Sequence, residues 1–151
     1  MSDPIYDAVE GMAVAPVSNV YNLDELPANP AASDLPCRLL LPFGAGDNEQ
    51  NMIEFMSSER NAWVETRLVD MMLFRHVAQG EGIETAAPET VAYARLYVRT
   101  FIANRYLDDT NQIYITGGTA KPGIVEYPSQ SGIFYHGVLC TLTVREAVIN
   151  P

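Results

Sequence analysis

Residues 63–77 read Trp-Val-Glu-Thr-Arg-Leu-Val-Asp-Met-Met-Leu-Phe-Arg-His-Val and form the longest strand candidate in the chain. Side chains alternate between the two faces of a strand, and here both faces are charged at the ends and apolar in the middle. In a sheet with one solvent-exposed face, apolar and polar residues should alternate regularly along the strand. We therefore expect both sides to be covered over Leu68 to Phe74. A helix of this chain is expected on one side, and a second subunit is the candidate cover for the other.

The elements around this strand are predicted from apolar spacing and from Pro and Gly stops. Before it lie a helix over Asp3 to Ala15, a proline-rich loop over Asp24 to Pro36, and strands over Cys37 to Leu41 and Met52 to Met56. After it lie a helix over Pro88 to Tyr106, a short strand over Ile113 to Ile115, a turn-rich segment over Gly117 to Gly132 and a strand over Ile133 to Val144.

This order of elements indicates the fold class. Strands grouped before and after one major helix favour α+β over alternating βαβ units. We expect a single domain over residues 1–151, with a mostly antiparallel sheet packed by one long helix and a short N-terminal helix. The long helix should bury one apolar stripe, formed by Val91, Ala94, Val98, Phe101, Ile102 and Arg105. The last strand should bury the face formed by Phe134, Val138, Cys140, Leu142 and Val144, which His136 interrupts.

Charge and cysteine content restrict the class of protein. The 151 residues include 19 acidic and nine basic side chains, which gives a formal net charge of −10. Such a surface repels phosphate and excludes tight nucleic-acid binding as the main role. No apolar run is long enough for a membrane-spanning helix, and the first residues lack the features of a secretory signal. Cys37 and Cys140 lie in apolar strands and are expected to be buried free thiols of a protein that folds in a reducing cytoplasm.

The sequence contains no motif that predicts catalysis. Its two histidines, His76 and His136, are not accompanied by ligands at metal-site spacing, and no serine lies in a nucleophile elbow. We therefore expect no catalytic residues, no cofactor and no metal. The paired carboxylates Asp24-Glu25 and Asp108-Asp109 are interpreted as solvated surface.

Asp70 differs because it falls in the apolar middle of the long strand. A buried carboxylate usually has a charged partner. A structural ion pair is favoured over a catalytic acid, and the candidate partners are Arg67, Arg75, Arg95 and Arg99.

The remaining features suit assembly, and they lead to a resemblance. The segments Leu-Pro-Cys-Arg-Leu-Leu-Leu-Pro (residues 35–42), Trp63 to Arg75, the long tyrosine-bearing helix and Tyr135 to Val144 follow one another in a characteristic order. In this order of elements and in its pattern of apolar residues, most of the chain resembles the tail-terminator (tail-completion) proteins of long-tailed bacteriophages, the family of the lambda U protein. An acidic surface also fits a channel through which DNA slides without sticking.

The resemblance implies a structural virion protein, not an enzyme, located at the neck of the tail and assembled in the host cytoplasm. It implies a homo-hexameric ring that ends tube polymerisation, with the tail-tube protein on one face and the head–tail connector or neck protein on the other. DNA would pass through the lumen without specific binding, and no membrane would be involved. The expected contact residues to neighbouring subunits or the tube are Asp24, Glu25, Arg67, Arg75, Lys121 and Tyr127.

Two alternatives remain at this stage. Related neck proteins share this general fold, so a head-closure or tail-tube protein of the same particle is the near one. The other belongs to a different class, a small acidic enzyme or ligand-binding domain with its pocket near Asp70 and His76.

Charge reversal at Arg67 or Arg75 tests the assembly interpretation. Because arginine on a strand covered on both sides suggests a subunit contact, Arg67→Glu or Arg75→Glu is expected to weaken ring formation more than folding. Circular dichroism and size-exclusion chromatography would measure the two effects. Equal losses of secondary structure and of assembly would contradict the expectation.

Overall fold

The computed structural model describes most of the chain. The described residues are 4–14, 17, 19–21, 30, 32–41, 53–57, 61–77, 83–127 and 132–148. Within them the fold is mixed α and β, with two α-helices and a six-stranded, mostly antiparallel sheet. The helices are α1 (Pro4–Glu10) and α2 (Ile83–Ala103), and the strands are β1 (Asn19–Tyr21), β2 (Cys37–Leu41), β3 (Ile53–Ser57), β4 (Ala62–His76), β5 (Ile113–Glu126) and β6 (Phe134–Val148).

Strand β4 is the centre of the sheet. The strand order is β1-β2-β4-β6-β5. Strands β3 and β2 both pair with the edge of β4 that faces away from β6: β3 pairs with the first half of β4, and β2 pairs with the second half. The β4–β6 ladder runs antiparallel from Ala62 opposite Val148 to His76 opposite Tyr135, with an irregularity between Leu73 and Arg75. The β1–β2 pair is parallel. Every strand except β1 and β5 therefore takes its place by pairing with β4 directly.

The predicted strands are largely confirmed. Strand β2 has the predicted bounds, and β4 is displaced by one residue. Helix α1 ends at Glu10, five residues before the predicted Ala15. Helix α2 begins at Ile83, so Pro88 lies inside the helix and not at its first position. Proline at the sixth position of a helix removes one backbone hydrogen bond and crowds the carbonyl group four residues earlier, so the helix continues through Pro88 at a local cost.

The segment from Gly117 to Gly132 differs most from its prediction as a turn. Residues up to Glu126 belong to β5, one strand that includes Lys121-Pro122-Gly123. Strand β5 lies at the end of the strand order. Proline and glycine are tolerated at the outer position of a sheet, and none of the described strands pairs with β5 beyond Lys121-Pro122-Gly123. The Pro and Gly residues of Lys121-Pro122-Gly123 therefore lie in the last strand of the sheet and do not reverse the chain.

The chain itself covers both faces of β4. One core cluster includes Leu68, Met72 and Phe74, and a second cluster on the opposite face includes Met71 and Leu73. Every residue from Leu68 to Phe74 is buried in the single chain. The prediction that both faces are covered is confirmed, but a second subunit is not needed as the second cover.

The second cluster is closed by segments that precede β2. Leu35 packs against it, and the hydroxyl of buried Tyr135 donates a hydrogen bond of 3.2 Å to the carbonyl oxygen of Pro30. The chain therefore folds back across this face of the sheet before β2 begins.

Helix α2 contacts the first cluster through a different stripe from the one predicted. Ala86, Thr90, Ala94, Tyr97 and Phe101 are buried, and the ring of Tyr93 lies 4.4 Å from that of Phe74. Ala94 and Phe101 were predicted correctly. Val91, Val98, Ile102 and Arg105 are exposed instead. The apolar outer side of α2 is therefore left at the surface.

The last strand shows the same mixture of agreement and correction. Val138, Cys140, Leu142 and Val144 are buried as predicted, whereas Phe134 is exposed. His136 is buried among them.

Both thiols should resist modification in the folded protein. Burial, with a smaller contribution from Asp34, raises the pKa of Cys37 to about 12, and burial also raises the pKa of Cys140 well above its usual value. Because the thiolate is the reactive form, we expect no alkylation by iodoacetamide at pH 8 without denaturant and two adducts in 6 M guanidinium. Mass spectrometry would count the adducts. Rapid native labelling of either cysteine would contradict the described burial.

Candidate assembly surfaces

A buried ion pair fixes where the surface elements lie. Arg38 of β2 and Asp70 of β4 are both fully buried, and the Nη2 atom of Arg38 lies 2.6 Å from Oδ2 of Asp70. The Nε atom of Arg38 also donates to that oxygen, at 3.1 Å. From α2, the hydroxyl of Tyr97 donates to the same Oδ2 at 3.1 Å. The carboxylate is thus hydrogen-bonded from two elements.

Two further guanidinium N–H groups bind carbonyl oxygens in the last turn of α1 and just after it. Nη2 donates to the carbonyl oxygen of Val9 at 3.2 Å, and Nη1 donates to that of Met12 at 2.5 Å. Carbonyl groups at a helix end lack partners within the helix, and a nearby cation suits the negative end of the helix dipole. One arginine therefore joins α1, β2 and β4.

This pair corrects the predicted environment of Asp70. The structural role was expected, but the partner is Arg38 and none of the four predicted arginines. Arg38 was detectable as the one charge in the apolar run Cys37 to Leu41, where a polar residue needs a buried partner. Asp70 is fully buried, and its carboxylate is bound by Arg38 and Tyr97.

The expected contact residues lie in four different settings. Asp24 and Glu25 fall outside the described residues. Arg67 is exposed on β4, and Lys121 is exposed on β5. Arg75 lies 2.9 Å from Glu89 of α2 in a partly exposed ion pair, so its charge already has a partner within the chain. Tyr127 is buried in the second cluster, beside Tyr135.

The paired carboxylates at the end of α2 have a local role. Asp108 accepts hydrogen bonds from the hydroxyl of Thr110 and from the backbone N–H groups of Ile113 and Gln112, and these bonds lower its pKa. Asp108 therefore organises the turn that leads into β5, while Asp109 is exposed as predicted.

An open apolar groove lies between α2 and β5. Its volume is about 340 Å³. We define this α2–β5 groove by six of its lining residues, Tyr97, Val98, Phe101, Ile102, Gly117 and Leu142. Ile102 is 68% exposed at its rim. Gly117 adds no side chain, and a Cβ atom placed there would meet nothing within 4 Å. The groove is therefore apolar and accessible.

Positive charge lies along the α2 side of this groove. Arg105 lines it, and Arg95 and Arg99 are exposed further along α2. Lys121 of β5 is opposite Leu139 of the second cluster, so it lies on the other face of the sheet. The three arginines are among the nine basic residues in a chain of net charge −10. Arg95 and Arg99 line a second depression that shares Val98 and continues along α2 to Ala120 and Pro122. The α2–β5 side is thus more basic than the chain as a whole.

A second apolar surface lies across the sheet, on β3. Phe55 is 80% exposed and Met56 is 60% exposed. They pair with Val64 and Trp63 of β4, so neighbouring positions of β3 lie on opposite faces of the sheet. Each face of the sheet therefore carries one large exposed apolar side chain at this strand. We call Phe55 and Met56 the β3 edge.

No protein-family model matches the chain, and no curated protein matches it. In the part of the chain that the structure describes, no helix is long and apolar enough to cross a membrane. Among the same residues, no group of three or more His, Cys, Asp or Glu side chains could hold a metal ion.

Removing one partner of the buried pair should destabilise the fold strongly. Arg38→Met leaves the Asp70 carboxylate buried without its cation, and we expect the free energy of unfolding to fall by about 3–5 kcal/mol. Urea denaturation followed by circular dichroism would measure the loss. Arg67→Met, which removes an exposed arginine from β4, is the matched control and should change stability little.

A second variant separates loss of charge from loss of packing. Arg38→Met combined with Asp70→Leu removes both charges and should recover part of the lost stability. A double variant as unstable as the sum of the two single variants would show that the charge pairing is not the cause.

Proposed function

We propose that this protein is a structural virion subunit that forms a ring on the end of a bacteriophage tail tube, a tail terminator. In this role it ends tube polymerisation and provides the surface on which the head docks. We further propose a homo-hexamer that contacts the tail-tube protein on one face and the connector or neck protein on the other. The protein would assemble in the host cytoplasm, reside at the neck of the virion and catalyse no reaction.

The observation that carries this proposal is a pair of unlike apolar surfaces at opposite sides of one sheet. The β3 edge lies on one side of β4, and the α2–β5 groove lies beyond β6 on the other. Two different surfaces that bind each other make a head-to-tail contact, and such contacts close into rings when the rotation between subunits permits. A dimer with identical contacts would need only one surface.

The layering of the protomer fits the same role. We propose that α2, together with α1, forms the helical layer over one face of the sheet, as in the fold that the resemblance implies. The buried stripe of α2 serves the protomer, and its exposed residues Val91, Val98 and Ile102 serve a neighbour.

The net charge supports a channel that carries DNA. An excess of ten negative charges per subunit repels the phosphate backbone, so DNA would pass without specific binding. The more basic α2–β5 side would then face subunits and not the lumen.

Electron microscopy of particles made with this gene nonsense-mutated would test the role. We expect overlong tail tubes beside separate, DNA-filled heads, because nothing would stop tube growth or offer a docking surface. Supplying the wild-type chain in trans is the control and should restore joined particles of normal length.

The other outcomes of this experiment point elsewhere. Tails of normal length that fail to join heads would indicate a head-closure or neck protein. Intact, infectious particles would contradict an assembly role. Enzyme or ligand-binding activity would then be the next hypothesis. Of the two residues expected at its pocket, Asp70 is buried in the ion pair, and the side chain of His76 lies outside the described part of the chain.

A further inference from the structure

We propose that this protein binds a neutral saccharide in a depression on the sheet face opposite α2. The depression has a volume of about 300 Å³. We define it by four of its lining residues, Trp63, Tyr114, Arg145 and Ala147, and call it the Trp63 depression. Its volume is at the lower end of the range for small-molecule sites. The depression is formed within one protomer, so the inference does not rest on the proposed ring.

Strand register brings these four residues together. Trp63 of β4 is opposite Ala147 of β6, and Tyr114 of β5 is opposite Arg145 of β6. Directly opposite residues share a sheet face, and so do residues two apart on one strand. The four residues therefore lie side by side on one face. It is the face of the second cluster, because Met71 is an even number of residues from Trp63 along β4.

A small residue between two large ones creates the depression. Ala147 contributes only a methyl group, and its backbone N–H already donates to the carbonyl oxygen of Gln112 at 2.8 Å. The strands on either side of β6 carry the half-buried aromatic rings of Trp63 and Tyr114. Ala147 is therefore the floor, and the aromatic residues are the walls.

Arg145 is fixed in position at this site. Its Nε atom donates to Oε1 of Glu65 at 3.1 Å, and its Nη2 atom donates to the same oxygen. The guanidinium group also donates to the hydroxyl of Tyr114, and its Cζ atom lies 5.1 Å from the centroid of the Trp63 ring. A guanidinium that contacts an aromatic ring keeps the N–H donors in its own plane. Because the side chain is 33% exposed, these fixed donors are within reach of a ligand.

The charges at the depression favour a neutral ligand. Arg145 is the one charged residue among the described residues that line it. The carboxylate of Glu65 balances this charge, and the chain carries an excess of ten negative charges, so an anion gains little there. A cation would be repelled by the guanidinium group itself. Ligands of either charge are therefore disfavoured.

The lining combines aromatic rings with fixed hydrogen-bond donors. A sugar ring presents C–H groups on its faces and hydroxyl oxygens around its rim. The C–H groups can pack against Trp63 and Tyr114, and the hydroxyl oxygens can accept hydrogen bonds from Arg145. Apolar walls with a few placed polar groups are typical of sites that orient a small ligand. A neutral saccharide matches the walls, the donors and the charge together.

Fluorescence of Trp63 tests the proposal, because it is the single tryptophan of the chain and lines the depression. The probes are glucose, galactose, mannose and N-acetylglucosamine, each titrated separately at millimolar concentrations. We expect a saturable change in tryptophan emission with at least one of them. No saturable change with any of the four would overturn the proposal.

Charged and aromatic probes test the class of ligand. Glucosamine is a cation and glucuronate is an anion, and both keep the sugar ring. We expect the best neutral sugar to bind at least tenfold more tightly than either. Tighter binding of glucuronate would show an anion site instead. Binding of adenine without binding of any sugar would show a site for flat aromatic rings, and either result would overturn the saccharide.

Two variants test whether the signal arises in the depression. Ala147→Leu fills the floor, and Arg145→Met removes the fixed donors. We expect each to raise the dissociation constant at least tenfold without a change in circular dichroism. Arg67→Met is the matched control, because it removes an exposed arginine from the same face of β4 outside the depression, and it should leave binding unchanged. Binding that survives both lining variants, or that falls equally in the control, would overturn the site.

Discussion

The ion pair between Arg38 and Asp70 is the interaction on which the rest of the fold depends. It lies where β2 meets β4 and also binds the end of α1 and Tyr97 of α2. Two charges in an apolar core are costly to desolvate, so they persist only when their hydrogen bonds are satisfied. Because the partners come from four elements, the pair specifies how these elements sit together. Replacement by apolar residues could keep stability and lose this specificity.

The sequence predicted strands correctly where apolar side chains alternate regularly or run continuously. It predicted them wrongly where Pro and Gly suggest a turn but the residues pair with a distant strand. The alternation in β4 and the apolar run of β2 predicted both strands because half-buried and buried strands require those patterns. Lys121-Pro122-Gly123 was interpreted as a turn, since nothing local shows that these residues lie at a sheet edge. The partner of Asp70 was missed for a related reason. The register between β2 and β4 brings Arg38 close to Asp70, and the alternation of side chains along one strand does not predict its register with another strand.

The candidate surfaces were harder to predict than the core. The stripe expected on α2 mixed buried Ala94 and Phe101 with exposed Val98 and Ile102, because an apolar residue on a helix can face either a core or a partner. The sequence pattern does not distinguish the buried apolar residues of α2 from the exposed ones. Their exposure in the folded chain does, and it shows that α2 carries apolar side chains that the core of the protomer does not bury. Phe55 and Met56 belong to the same class.

The long ladder between β4 and β6 also affects how the protein is made. Ala62 pairs with Val148, so the centre of the sheet joins parts of the chain that are synthesised far apart in time. Contacts so distant in sequence are slow to form. A nascent chain that has completed α2 still lacks the strand that holds β5 beside β4. The α2–β5 groove, which Leu142 of β6 helps to line, therefore cannot form beside β4 until β6 has left the ribosome.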